Sequence, residues 1–214
     1  AFAGARRELV RLRLIVFFTA LSEELMRPFF AVFASEAQPL PIALSPTMLA
    51  GLPVAAFMLT LALAQPLGPW LTRRAEVRRS LFAVALGGAL LMALTAGARD
   101  GLALVLLRAG SGVAHGLVLI LAQTTIVRLT ASHQRARGLV EISAAIVAAG
   151  ICGPAIGGLL AERFGPQLAL GACAACLALG ALASLRIAPL PQTSHANLAS
   201  MGWRGLAAVL RQRR

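Results

Sequence analysis

Charged side chains are scarce in this chain of 214 residues: they make up 13% of the sequence, and only 8 residues are acidic. A soluble domain of this length carries roughly a quarter charged residues. Hydrophobic residues reach 58%, and the mean hydropathy is +0.80. The composition therefore indicates lipid, rather than water, as the solvent for much of the protein surface.

Lysine is absent, so all 20 basic residues are arginine, and the formal net charge is +12. A basic balance favours nucleic-acid binding only where the basic residues form one soluble face. Here the arginines stand in short clusters between long apolar runs, which is the pattern of membrane proteins. We expect membrane lipid, and not nucleic acid, as a partner.

Cysteine occurs three times, and the chain has no Gly-rich phosphate loop and no nucleophile with an adjacent base. Cys173 and Cys176 form a CxxC inside an Ala/Leu/Gly run, without a nearby histidine or further cysteine. A metal or redox site needs such partners and polar access. The sequence therefore predicts no enzyme, no metal site and no cofactor.

Long apolar runs are abundant. A helix that crosses the hydrocarbon core needs about 20 mostly apolar residues. Six segments meet this requirement: 12–33, 46–71, 80–98, 101–127, 138–160 and 167–187. They lack the period-two alternation of membrane strands. We predict an all-α membrane protein, with six transmembrane helices in a domain at 12–187.

The arginines predict the orientation of this bundle, because cytoplasmic loops are enriched in Arg and Lys. At or beyond the ends of the spans, 16 arginines fall on one side and 2, Arg99 and Arg163, on the other. Both chain ends should be cytoplasmic, at a bacterial inner membrane. They would form a basic lead-in at 1–11 and a connector with an amphipathic helix at 188–214. Since the first residue is Ala and not Met, we expect a piece of a longer polypeptide.

An internal repeat relates the two halves of the predicted bundle. The end of the second span reads "PLGPWLTRR" (66–74) and the end of the fifth reads "PAIGGLLAER" (154–163). Gly68 aligns with Gly157 at an offset of 89 residues, which is three spans. The second span ends inside and the fifth outside, so the two three-helix units are inverted. Inverted repeats are typical of secondary transporters.

The fifth span contains "GPAIGG" (153–158). Its proline removes one backbone donor, and its glycines allow a neighbouring helix to approach closely. Generic close packing would also explain this composition. The whole string, Gly153, Pro154, Gly157 and Gly158, resembles the fifth-helix antiporter motif of the major facilitator superfamily.

Three further stretches resemble that family in the corresponding positions. They are "GPWLTRRAEVRR" (68–79), similar to its loop between helices 2 and 3, "RAGSG" (108–112) in helix 4, and "RARGLVE" (135–141) at the start of helix 5. Thr72 stands where the loop motif has an Asp that belongs to a cytoplasmic charge network. The resemblance implies a cytoplasmic gating region formed by Gly68, Arg73, Arg78, Arg79, Arg128 and Glu141.

The resemblance covers about residues 12–187 and implies half of a facilitator fold, in which helices 1 and 4 line a central cavity. The partner would then be a second six-helix half of the same polypeptide. The implied function is export of small organic molecules by alternating access, coupled to protons. The alternative is a non-transporting membrane sensor or anchor, fused to a signalling protein.

Charged residues within the spans are the candidate site. An ionised side chain at the bilayer centre costs at least about 2.5–3.5 kcal/mol, so it faces the bundle interior or a wet cavity, usually paired. At a rise of 1.5 Å per residue, Arg27 and Arg108 both lie about 9–10 Å from the outer side. Glu23 and Glu24 lie one turn deeper in the first span, and His115 two turns deeper in the fourth.

Either glutamate can pair with Arg27, because they precede it by four and three residues on one helix. The other carboxylate would be left for Arg108. A guanidinium and a proton would then compete for one carboxylate, and we hypothesise that Glu23 or Glu24 binds the coupling proton. His115 is a candidate proton relay or a neutral, hydrogen-bonded histidine. The alternative is a static ion-pair network that fixes helix 1 against helix 4.

Overall fold

The computed structural model describes residues 2–38, 46–68, 71, 76–130 and 135–188. Six long α-helices lie within these ranges, together with a short 3-10 turn at Gln65–Leu67. The helices are α1 Phe2–Ser35, α2 Pro46–Ala64, α3 Val77–Gly97, α4 Gly101–Leu129, α5 Arg135–Phe164 and α6 Pro166–Ser184. The predicted all-α class is confirmed. The predicted connector lies outside the described residues from 189 onward.

Five of the described helices, α2 to α6, are long and apolar enough to cross a membrane. The remaining helix, α1, has 34 residues, which is length enough for a span. Its central run, however, carries three charged side chains, Glu23, Glu24 and Arg27. That α1 is the sixth span therefore stays a prediction.

The helices pack in a fixed set of pairs. α1 lies along α5 and α6, α2 lies along α4, and α3 lies along both α6 and α4. This pattern is unchanged when the first three helices are exchanged for the last three: the α1–α5 pair becomes α4–α2, and the α1–α6 pair becomes α4–α3. An inverted repeat would produce such a pattern, and the repeat itself stays a prediction.

Glycine allows the closest of these approaches, between α5 and α1. A Cβ atom at Gly157 would overlap the carbonyl of Leu25, and one at Gly153 would overlap Cβ of Glu24. At Gly158, by contrast, a Cβ atom would meet only the Pro28 ring, at 3.9 Å. Two of the three glycines in "GPAIGG" are therefore needed for the packing of α5 against α1.

Backbone contacts fix the end of α1 against the start of α4. The Gln38 amide donates to the Arg99 carbonyl at 2.8 Å, and the Gly101 amide donates to the Gln38 carbonyl at 3.1 Å. The Asp100 carboxylate caps α4 by accepting from two backbone amides of its first turn, at 3.4 and 3.3 Å. These contacts set the register in which α1 and α4 face each other.

Two apolar clusters fill the bundle, one on each side of a polar layer. Along α1, one cluster ends at Val16 and the other includes Leu25 and the residues after it. Along α4, the corresponding limits are Val118 and Leu104. Glu23 and Glu24 of α1 and Arg108 of α4 lie between these limits, and Arg27 lies two residues beyond Leu25.

Candidate functional site

A cavity of about 390 Å³ opens between α1, α2 and α4, with one contact from α5. The structure brings all the predicted cavity residues to its wall: Glu23, Glu24, Arg27, Arg108 and His115. The rest of the wall is apolar: Ala20, Met26, Phe30, Ala31, Val54, Phe57, Met58, Leu61, Leu119 and Ile146. The cavity thus combines two pairs of oppositely charged residues with a hydrophobic lining.

Arg108 of α4 and Glu23 of α1 form a bidentate ion pair. Nη1 of Arg108 donates to Oε1 of Glu23 at 3.1 Å, and Nη2 donates to Oε2 at 2.8 Å. Both residues are buried, with Arg108 only 2% exposed. Paired charge-assisted hydrogen bonds of this kind are short and geometrically specific. The pair therefore joins α1 to α4 inside the bundle.

Two phenylalanines enclose the Arg108 guanidinium. Its Cζ atom lies 4.1 Å from the ring centroid of Phe57 on α2 and 5.3 Å from that of Phe30 on α1. A guanidinium over an aromatic face within about 6 Å is stabilised by the ring quadrupole. Three helices thus meet at this one side chain.

Glu24 is held differently from its neighbour. Its Oε1 atom accepts one contact, from Nη2 of Arg27 at 3.1 Å on the same helix. The Arg27 side chain is 61% exposed and that of Glu24 is 13% exposed. Ion pairs with an exposed partner contribute about 0–1 kcal/mol. Of the two carboxylates, that of Glu24 therefore forms the weaker ion pair.

His115 lies two turns from Arg108 on α4 and is a polar group within an apolar part of the wall. Its ring packs edge-on against Phe57, with 5.7 Å between the centroids and 72° between the planes. Its Nδ1 atom is buried and finds no hydrogen-bond partner among the described residues. The hydrogen-bonded arrangement that the sequence left open is thus not seen for this atom.

The predicted gating region separates into two ion-pair groups in the described part of the chain. Arg78 and Arg79 both pair with Glu76, each through Nε at 3.2 Å. Glu141 faces Arg137 at 3.9 Å and Arg13 of α1 at 4.0 Å.

The structure places the other gating residues as follows. Gly68 is buried, and a Cβ atom there would meet the Ile120 side chain at 2.5 Å. Arg128 lies half-buried near the end of α4, and none of the described ion pairs joins it to Glu141. Arg73 lies outside the described residues.

A family comparison decides the classification of this fold. The profile of the Major Facilitator Superfamily matches residues 12–214, nearly the whole chain. The chain belongs to this superfamily. With five helices apolar enough to span a bilayer, it is an integral membrane protein.

Solved structures agree on the fold of this facilitator. It is similar to a mutant of the peptide transporter POT in complex with alafosfalin, with a TM-score of 0.67, 16% identity, and coverage of 95% of this chain and 45% of that one. It is equally similar to the peptide transporter POT in complex with sulfate, with a TM-score of 0.66, 17% identity, and coverage of 96% and 45%.

The chain therefore spans less than half the length of these transporters. At this identity the likeness shows the fold alone. None of the curated proteins matches the sequence.

Sequence reasoning missed three residues of these facilitator sites. Phe57 carries no local signal, because its contact with Arg108 depends on how α2 packs against α4. Arg13 pairs with Glu141 across two helices and is equally invisible in sequence spacing. Glu76 had a usable signal, since it is the only carboxylate between Gly68 and Arg79.

Proposed function

We propose that this protein is the amino-terminal half of a secondary active transporter that moves small organic molecules across a membrane by alternating access. The observation that carries the proposal is the buried Glu23–Arg108 pair in the wall of a cavity of about 390 Å³. Ionisable residues within a membrane bundle are costly and mark functional sites by default. Cavities of about 300–1,000 Å³ are the usual size of small-molecule sites.

A second six-helix half of the same polypeptide completes the proposed transporter. Two observations support it: the chain covers 45% of the similar solved structures, and α2 and α5 bury the smallest share of their apolar windows, 17% and 22%. Their exposed faces are apolar, with Leu59, Leu63, Val147 and Ile151 each at least 60% exposed. Such faces require lipid or a second protein surface as their neighbour. In this arrangement 12–187 is the transmembrane domain, and both chain ends lie in the cytoplasm of a bacterium.

We further propose that Glu24 exchanges the coupling proton while the Glu23–Arg108 pair holds α1 against α4. Among the described residues, Glu24 has one ionic contact, to an exposed arginine, and it lies on the cavity wall. Glu23, in contrast, has both carboxylate oxygens engaged by a buried guanidinium. A proton competes more easily with one exposed partner than with two buried hydrogen bonds. The direction, export, rests on the resemblance of "GPAIGG" to the antiporter motif.

Transport by the full-length protein in liposomes with an imposed pH gradient tests this proposal. We expect Glu24→Gln to abolish pH-driven transport, because the amide cannot bind or release the proton. Glu36→Gln is the matched control, since Glu36 is an exposed carboxylate at the end of the same helix. Unchanged pH-driven transport in both Glu23→Gln and Glu24→Gln would end the proton hypothesis.

A second candidate function is a non-transporting sensor or anchor. The observation in its favour is a contact between the lead-in and the start of the connector: Oε2 of Glu8 accepts from the Ala188 amide at 3.2 Å. A movement of the lead-in would be transmitted directly to the connector through this hydrogen bond. The sequence that flanks residues 1 and 214 discriminates the two functions. A second six-helix half favours transport, and a kinase, cyclase or phosphatase domain favours signalling.

A further inference from the structure

We propose that the cavity selects an uncharged amphipathic molecule, whose one hydroxyl or amide group is held by His115. This inference rests on the proposed transport function and adds the chemical class of the substrate. Three features of the cavity wall lead to it: the balance of its charges, the unpartnered atom of His115, and the apolar surface between them.

The charges of the wall cancel in pairs. Glu23 is neutralised by Arg108 and Glu24 by Arg27, and no other charged residue of the described chain lines the cavity. Within the part of the wall that this chain forms, an ionised ligand would have to displace one member of a pair or enter an apolar space without a counter-ion. Both are unfavourable, because a buried charge is tolerated only when it is paired.

Apolar side chains line the part of the cavity beside His115. His115 follows Arg108 by seven residues, which is about 10 Å along α4. The residues that line the cavity near that level include Leu61 of α2, Leu119 of α4 and Ile146 of α5, all apolar. A ligand that reaches His115 therefore contacts a wall that is largely hydrophobic.

The imidazole of His115 is the polar group of this region, and its Nδ1 atom has no hydrogen-bond partner among the described residues. This atom is buried, and most buried polar atoms in proteins are hydrogen-bonded. A neutral imidazole nitrogen donates or accepts according to the tautomer. A hydroxyl or amide group of a ligand can act as donor or acceptor to this imidazole ring.

The test is a matched series of probes that share one apolar body. Phenylbutanol, phenylbutylammonium, phenylbutyrate and butylbenzene differ only in the group that would meet His115. Their binding to the protein in nanodiscs is measured by calorimetry, with empty nanodiscs as the blank. We expect phenylbutanol to bind at least about tenfold more tightly than either ion, which corresponds to one hydrogen bond gained and no ion pair broken.

Variants assign the preference to one side chain. We expect His115→Phe to reduce phenylbutanol affinity about tenfold, to that of butylbenzene, and His115→Gln to retain part of the preference. Butylbenzene binding should survive in both variants, which shows that the cavity is still formed. Thr124→Val is the control on the same helix, because its hydroxyl already donates to the Ile120 carbonyl at 2.7 Å, and we expect no change.

Three outcomes overturn the inference: an ion that binds as tightly as the alcohol, an alcohol preference that persists in His115→Phe, or no binding by any probe. These outcomes are separate from failure of the proposed function. A protein that prefers phenylbutanol but shows no pH-driven transport would lose the transporter proposal and keep the selective site. A protein that transports but prefers an ion would lose only the inference about substrate class.

Discussion

Adjacent glutamates of α1 have different partners because consecutive helical residues point about 100° apart. Glu23 faces α4 and meets Arg108, whereas Glu24 lies against Gly153 of α5 and meets Arg27 on its own helix. Spacing alone allowed Arg27 to pair with either. The assignment depends on which neighbouring helix covers each side of α1, and that is a property of the packed bundle.

Because the Glu23–Arg108 pair is buried, removal of one partner should strongly destabilise the protein. Arg108→Ala should lower the free energy of unfolding by about 3–5 kcal/mol, because it leaves the Glu23 carboxylate buried without its partner. Reversible unfolding in mixed micelles measures the change. Arg99→Ala, at an exposed position, should change stability by no more than about 0.5 kcal/mol.

The paired replacement Glu23→Leu with Arg108→Leu separates the net contribution of the ion pair from the cost of leaving one charge buried without its partner. Removing both charges should recover most of the stability lost in Arg108→Ala, since well-packed apolar residues often replace a buried pair at little cost. An Arg108→Ala protein that is as stable as the native one would show that the pair is not closed in the membrane.

Element boundaries follow from local chemistry, and most of them were predictable. The six apolar runs each correspond to one of the described helices. The second span was predicted to reach residue 71, but α2 ends at Ala64 and gives way to the 3-10 turn Gln65–Leu67. Pro66 lacks a backbone donor, which weakens the α-helical pattern there. α1 extends beyond its predicted start to Phe2, because the basic lead-in contains few residues that disfavour a helix.

Glycines of α5 give a prediction at the element scale. Gly157→Ala should lower the free energy of unfolding by about 1–3 kcal/mol, because the new methyl group would press on the Leu25 carbonyl of α1. Gly150→Ala, on the same helix, is the control. A Cβ atom at Gly150 meets nothing within 4 Å, so this change should be neutral or stabilise the helix by about 0.5–1 kcal/mol. Equal effects at both positions would contradict the close packing of α5 on α1.

The arginine clusters give a prediction for the whole molecule. α1 has 34 residues, and at 1.5 Å per residue it is about 50 Å long, more than the roughly 30 Å of a hydrocarbon core. We expect Arg7 on the cytoplasmic side and Ser35 on the outer side, in agreement with the positive-inside rule.

Single cysteines in a background with the native cysteines changed to alanine test this orientation. In intact cells, an impermeant maleimide should label Ser35→Cys. Arg7→Cys should react only after permeabilisation, as should the control Arg186→Cys just after α6, because we expect both on the cytoplasmic side. All three positions are exposed, so each cysteine is accessible to the reagent on its own side. Labelling of Arg7→Cys and Ser35→Cys from the same side would show that α1 is not a span.

Sequence by itself determined the lipid environment, the helical class and the family of this protein, because apolar runs of fixed length and short glycine–proline motifs are local properties. It also determined which polar residues stand out within apolar segments. Only the tertiary structure decided how those residues combine: Glu23 with Arg108, Phe57 beneath the guanidinium, and a buried His115 nitrogen that has no hydrogen-bond partner in the described part of the chain. Each of these contacts depends on which faces of α1, α2 and α4 point toward one another, and that is set when the three helices pack around one cavity.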